Sequence, residues 1–344
     1  MIAANAPDID VVGYLGGEYF ALAFRRGITH GWPAMIVLPF LVTVTMLAWD
    51  RWVRRRRHPG APPARPVPLL ALSALGVATH PALDWMNTYG MRWGLPFDPS
   101  WTYGDALFIM DPWIWLVLGG SLFIASRPGR RGLIGWALLG VVASLPPLLF
   151  PLARVAKVLW LCGVAAIIAT WLVVRRGQAR RTPVLAGLAV VILYIGGMVG
   201  SNALASGQVA EAARAAGLEV RDLMVGPLPA DPLGAEIEVL TDEGYVPGDF
   251  RWTRTPRVRL LPEDVVPLLH APHGMAAHRA RAVVDAARAD TEATRYHVWS
   301  RYPYARIAPS GDGWTVTFSD ARYDRFPGAG GLGGLSVTVH DDLR

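Results

Sequence analysis

The chain has 344 residues, 52% of them hydrophobic and 17% charged, with a mean hydropathy of +0.30. These values exclude an ordinary soluble domain and point to a membrane protein with a soluble part. The formal charge of +6 is uneven, because residues 1–204 hold 18 basic and 8 acidic side chains while residues 205–344 hold 15 and 19. The basic excess therefore belongs to the membrane half, where loop charge sets orientation. It does not mark a nucleic-acid surface, and the lone Cys162 excludes an intrachain disulfide.

Six apolar stretches qualify as spans against a need of roughly 20 residues each. They cover 33–49, 67–85, 112–126, 133–150, 155–174 and 183–204. The third is short enough for a tilted or half-buried helix, and Pro146-Pro147 is expected to break the fourth near its end. Arginines cluster in alternate connections: Arg51, Arg54–Arg57 and Arg65, then Arg127, Arg130 and Arg131, then Arg175, Arg176, Arg180 and Arg181. The positive-inside rule makes these cytoplasmic. Residues 1–32, 86–111 and 151–154 and the tail from 205 then lie outside.

Apart from Asp50, every acidic residue of the membrane half falls at or near that outer boundary, as do His30 and His80. Ionisable groups beside apolar spans are costly, and are usually paired, metal-bound or functional. Asp8 and Asp10 follow Pro7; an extended segment would point both to one side, whereas a helix-capping turn is the plainer alternative. His30 closes Arg26-Gly27-Ile28-Thr29-His30 just before the first span, where an interfacial polar role is the ordinary one. His80 and Asp84 share a face of a helix, with Pro81 either in a first turn or at a kink. Asp111 precedes Pro112, as an ordinary N-cap does.

Each ordinary reading holds singly, but the set converges on one boundary. Two imidazoles with several carboxylates suit Zn²⁺, with Mn²⁺ or Fe as other options. Such an ion would offset clustered negative charge and acidify water into a nucleophile. The expected ligands are Asp8, Asp10, His30, His80, Asp84 and Asp111. Asp105 is expected as a bridging ligand or general base, and Asn87, Thr88 and Tyr89-Gly90 as supporting residues.

From 205 hydropathy falls. Gln208–Leu218 reads as a short helix, followed by strands near 219–225, 235–241, 245–252 and 256–261. Asp242-Glu243-Gly244 fits a hairpin turn. Residues 263–294 read as helical, strands near 303–309 and 314–320 flank Gly311-Asp312-Gly313, Gly328–Gly334 reads as a loop, and 335–340 adds a last strand. His270, His273 and His278 lack a completing carboxylate or cysteine spacing and read as loop or surface histidines. Tyr296, Trp299, Tyr302 and Tyr304 read as core or interface. No P-loop, dinucleotide fingerprint or nucleophile elbow is present.

In order along the chain come Pro7-Asp8-Ile9-Asp10, Arg26-Gly27-Ile28-Thr29-His30 and His80-x-x-x-Asp84 with Asn87-Thr88-Tyr89-Gly90. Pro96-Phe97 and Asp105-Ala106-Leu107-Phe108-Ile109-Met110-Asp111-Pro112 follow. This ordered set resembles the YdjM-type family of inner-membrane proteins, described as metal-dependent hydrolases, over about residues 1–125. Trp299-Ser300-Arg301-Tyr302-Pro303 and Asp320-Ala321-Arg322-Tyr323 resemble the tail of one branch. The resemblance implies that Asp8, Asp10, His30, His80, Asp84 and Asp111 are ligand or catalytic positions. Family members usually begin with a further helix carrying a Thr-His pair. Met1–Ala6 is similar to the end of that helix, so a start upstream of Met1 is expected.

The fold expected is a polytopic α-helical membrane domain of about six transmembrane helices, residues 1–204, followed by a small extracytoplasmic α+β domain, residues 205–344. The function expected is metal-dependent hydrolysis of an ester or phosphoester of a lipid or envelope substrate in the bacterial inner membrane. The expected partners are membrane lipids or a lipid-linked substrate, with no nucleic acid. The alternative is a non-enzymatic transporter or envelope assembly factor whose carboxylates handle ions or protons.

Overall fold

A computed structural model of the chain describes residues 1–149, 153–174, 181–323 and 334–341. Arg175, Arg176 and Arg180, and residues 328–333 of the loop expected over 328–334, lie outside the described residues.

The apolar runs form helices at the positions their composition dictates. A short α1 (Ile2–Asn5) leads into a 3-10 segment, Pro7–Gly16, and then α2 (Glu18–Phe24). α3 (Trp32–Trp49) starts on Gly31 with a proline in its first turn and continues through a π-turn, Asp50–Arg54, into α4 (Arg55–Arg57). The chain returns as α5 (Pro66–Trp85), followed by α6 (Pro112–Ser126), α7 (Arg130–Leu149), α8 (Arg154–Val174) and α9 (Arg181–Ala215). Among the described residues, five helical stretches are long and apolar enough to span a membrane, the α3–α4 run being one of 26 residues. α6 is the exception to the expected six. At 15 residues it is about 22 Å long, short of a hydrocarbon core of about 30 Å.

Two local expectations are corrected. Asp8 and Asp10 lie on a 3-10 helix, not on an extended segment. Pro81 sits inside α5 and does not open a helix. α7 is helical through Pro146-Pro147 as far as Leu149, and the break expected after them falls at residues outside the described ones.

The arginine-rich ends of the helices lie away from the clustered acids. At one such end Asp50 is buried, pairs with Arg54 and accepts the Ala64 amide at 3.0 Å. At the other end α9 carries straight into the tail. The short helix expected over 208–218 is the end of α9, and Ala205, Val209 and Ala213 on it are buried in the tail's first core.

That core lies on an antiparallel sheet of β1 (Asp222–Leu228), β2 (Asp231–Leu240), β3 (Gly244–Arg251) and β4 (Val258–Leu260), with β5 (Val266–Pro267) also on β3. A second sheet runs β6 (Leu269–His270), β7 (Pro303–Ser310), β8 (Gly313–Asp320) and β9 (Gly334–His340), β6 being parallel to β7. The helix expected over 263–294 is instead a 3-10 turn, β5, β6 and then α10 (Ala277–Arg288), with α11 (Thr291–Trp299) after it. Pro267, Pro272 and Gly274 forbid helix in the first part. α10 and α11 cover the second sheet around Val283, Tyr296, Trp299 and Phe318, all buried. Ile237→Ala removes a fully buried side chain from the first core, and should destabilise the tail by about 2–5 kcal/mol, read as a lower denaturant midpoint in tail tryptophan fluorescence.

Candidate metal centre

α3 and α5 pack so that the start of one meets the end of the other. This places His30, just before α3, against His80 and Asp84 in the last turns of α5. The two imidazole rings stand 5.3 Å apart between centroids. His30 Nε2 lies 3.4 Å from Asp84 Oδ2, and His80 Nε2 lies 3.5 Å from both Asp84 Oδ2 and Asp8 Oδ2. Ligand-type atoms of Asp8, His30 and His80 all fall within 4.8 Å of one another. Sequence positions 8, 30, 80 and 84 thus meet at one point.

The far side of each ring fixes which nitrogen faces the cluster. His80 Nδ1 lies 2.7 Å from the Ala4 carbonyl, which can only accept, so Nδ1 carries the hydrogen. His30 Nδ1 lies 3.2 Å from Asp10 Oδ2 and 3.0 Å from the Thr29 hydroxyl, which itself donates to Asp10. Here too Nδ1–H is the donor. Nε2 of each ring is therefore the nitrogen turned toward the cluster, and both Nε2 atoms are buried with no hydrogen-bond partner. Orphaned buried polar atoms are costly and call for a ligand. Two donors about 2.0–2.1 Å from a tetrahedral ion stand about 3.4 Å apart. The three nitrogen–oxygen spacings of 3.4–3.5 Å lie close to that edge, so the donor set fits a divalent cation.

Asp10 is not placed as a ligand. It sits behind His30, 1% exposed, and accepts from the Arg26 amide at 2.9 Å, the Thr29 hydroxyl and the Arg25 side chain. This is the carboxylate–histidine arrangement that orients metal-binding imidazoles. Burial pushes its carboxyl up, but the His30 hydrogen bond and charge, the Arg26 amide and Arg25 outweigh it and hold it below the usual range. Burial likewise pulls His30 down, and Asp10 and Asp84 overcome this and raise its proton affinity. The same field attracts a cation in place of the proton.

Asp111 and Asp105 are not brought to the cluster. Asp111 caps α6: Oδ1 accepts the amides of Trp113 and Ile114, and Oδ2 accepts the Tyr194 hydroxyl of α9 at 2.9 Å. Both oxygens are used in tying α6 to α9. Asp105 pairs with Arg301 of the tail at 2.8 Å, over the ring of Tyr103. Burial raises its carboxyl despite that guanidinium. Its neighbours Gly104, Ala106 and Leu107 donate amides to the Trp85 and Met86 carbonyls, which fixes the end of α5. Asp105 is therefore an anchor for the tail, not a bridging ligand or base.

Two residues of the site were not singled out from sequence. Arg26, buried, donates to Asp84 Oδ1 and Asn87 Oδ1, each at 2.9 Å, and lies 4.4 Å over the Tyr89 ring. Arg25 reaches Asp8 and Asp10, each at 3.3 Å. The available signal was their position, two arginines on the acidic side and outside the cytoplasmic clusters. Asn87 and Gly90 do support the site: Asn87 receives Arg26, and Gly90, at φ +76°, accepts from it where a Cβ would strike the Tyr103 ring. Among the described residues no other metal-type group occurs. His273 and His278 are exposed, and His270 packs 5.9 Å from the ring of Tyr304.

Residues 1–155 match the model of a family described as YdjM inner membrane protein. The matched stretch holds every residue of the cluster, and the tail motifs lie beyond it. No curated protein and no solved structure matches the chain.

Because the Asp10 carboxyl is depressed in the folded protein, it contributes stability above its unfolded pKa of about 3.9, and that contribution is lost as pH falls through the lower folded value. Asp10→Asn should therefore flatten the acid limb of a stability-against-pH profile, measured as unfolding midpoints from neutral pH downward.

Proposed function

With its first 155 residues in the YdjM inner membrane protein family, the chain is a membrane protein, and we propose that it is a metal-dependent hydrolase acting on a phosphoester of a membrane lipid or lipid-linked envelope intermediate. The observation that carries this reading is the pair of buried, unpartnered Nε2 atoms of His30 and His80 facing Asp8 and Asp84. These four residues would hold the ion, Zn²⁺ first and Mn²⁺ or Fe otherwise. A divalent cation there supplies Lewis acidity and lowers the pKa of water toward neutrality.

The chain's own groups do the rest. Asp10 and the Ala4 carbonyl keep both imidazoles in the Nδ1–H tautomer, and Arg26 fixes Asp84. The three carboxylates of Asp8, Asp10 and Asp84 exceed the Arg25 and Arg26 guanidiniums by one negative charge. A divalent ion would leave one positive, which favours an anionic substrate. Asp8 is the most open ligand, 39% exposed, and Arg25 beside it is partly exposed and able to meet a phosphate. Ile9, Val12 and Leu15 on the same 3-10 segment are exposed, Leu15 at 92%, and supply an apolar flank suited to acyl chains. The carrier alternative would place carboxylates nearer mid-span, whereas these stand at helix ends.

Purified protein should contain a stoichiometric divalent metal by elemental analysis, and His30→Ala or His80→Ala should lose it together with phosphoesterase activity. Metal-free wild type, or unchanged metal in both variants, would overturn the reading. The arginine distribution supports an orientation with the cluster and the tail on the outer face of the inner membrane. Reporter fusions at the tail should therefore be active only as periplasmic reporters, and cytoplasmic reporter activity there would reverse the topology.

A further inference from the structure

We infer that the C-terminal domain is part of the metal centre's positioning machinery, with Arg322 and Trp299 holding the loop that fixes Arg26 and, through it, Asp84. This rests on the reading of the cluster as a metal site.

Arg322 is 2% exposed, and its guanidinium is shared. Nε and Nη2 donate to Asp320, each at 2.8 Å, while Nη1 donates to the Thr88 carbonyl of the membrane half at 2.6 Å. One fork thus bolts the tail to the loop after α5. Beside it the Trp299 ring, 5.0 Å from the same guanidinium, packs 5.5 Å from the ring of Tyr89. The Tyr89 ring in turn carries Arg26 at 4.4 Å. The Tyr89 amide donates to Asn87 Oδ1, the atom that also receives Arg26 Nη1. Arg26 then ends the path on both layers of the site. Its Nη2 donates to Asp84 Oδ1 and its amide to Asp10 Oδ2, each at 2.9 Å.

No link in this path is made by solvent-exposed charge, so screening does little to weaken it. An Arg is required because its planar fork can hold Asp320 and the Thr88 carbonyl together, and an ammonium is a single point charge without that geometry. Removing outer-layer partners of metal ligands costs about 10–100-fold in metal affinity. Arg322 is therefore expected to act on metal affinity although the tail supplies no ligand.

The test uses the full chain in detergent or lipid nanodiscs and Co²⁺ as the probe, whose visible spectrum reports coordination geometry. Arg322→Lys should leave the tail folded, since Asp320 keeps a positive partner, yet weaken Co²⁺ binding about 10-fold or more and alter its spectrum. Tyr89→Leu, which leaves no buried charge unpaired, should do the same should Arg322→Lys fold poorly. In metal-free protein both should speed amide hydrogen exchange at Tyr89 and Arg92. Folded variants with wild-type Co²⁺ affinity, spectrum and exchange would overturn the inference and leave the metal reading standing. Wild-type protein that takes up no Co²⁺ would overturn both, an outcome seen before any substitution is made.

Discussion

Two imidazoles, each with Nδ1 committed to a protein acceptor, turn buried Nε2 atoms toward a space edged by carboxylates. Inside a protein such atoms are expensive unless something electropositive meets them. The cluster offers a donor set that would suit a cation, and several distant segments of the chain converge on it. α3 and α5 bring in His30, His80 and Asp84, the 3-10 segment brings in Asp8 and Asp10, and Arg25 and Arg26 temper the negative charge.

Burial grades the cluster. His30 and Asp10 are sealed, His80 and Asp84 are mostly covered, and Asp8 is the most open. A rigid inner wall with one accessible carboxylate would suit the proposed site, which would keep an ion and still admit a substrate from one side. The accessible side carries Arg25 and the apolar residues of the 3-10 segment, so charge and greasy surface lie next to each other. That combination distinguishes this face from the rest of the outer end, which the tail covers through Arg301–Asp105, Trp101 on the Val298 carbonyl and Arg322 on the Thr88 carbonyl.

The membrane half was largely legible because apolar runs have few options in lipid. The helices begin and end within a few residues of the composition boundaries, and the arginine pattern agrees with the grouping of the acids at one end. The tail's strands also followed their alternation, and Tyr296, Trp299, Tyr302 and Tyr304 are buried as their clustering implied. Errors gathered where residue type fits several roles. Asp111 resembles a ligand in sequence, yet its two oxygens are consumed by helix amides and Tyr194. Asp105 resembles a base, yet a guanidinium almost 200 positions away pairs with it. Asp10 is close to a histidine but on the ring's wrong nitrogen for coordination.

From residue order alone came the membrane class, the placing of the apolar helices, the α+β character of the tail and the identity of His30, His80, Asp8 and Asp84 as candidates, since hydropathy, charge and spacing are local properties of the chain. Only the tertiary structure decided which carboxylates share the space with the Nε2 atoms, which merely brace them, and that Arg26 and the tail's Arg322 belong to the same assembly. Those distinctions depend on which of two ring nitrogens or two carboxylate oxygens faces the centre. Such orientation is fixed by partners from distant segments, and no local pattern encodes it.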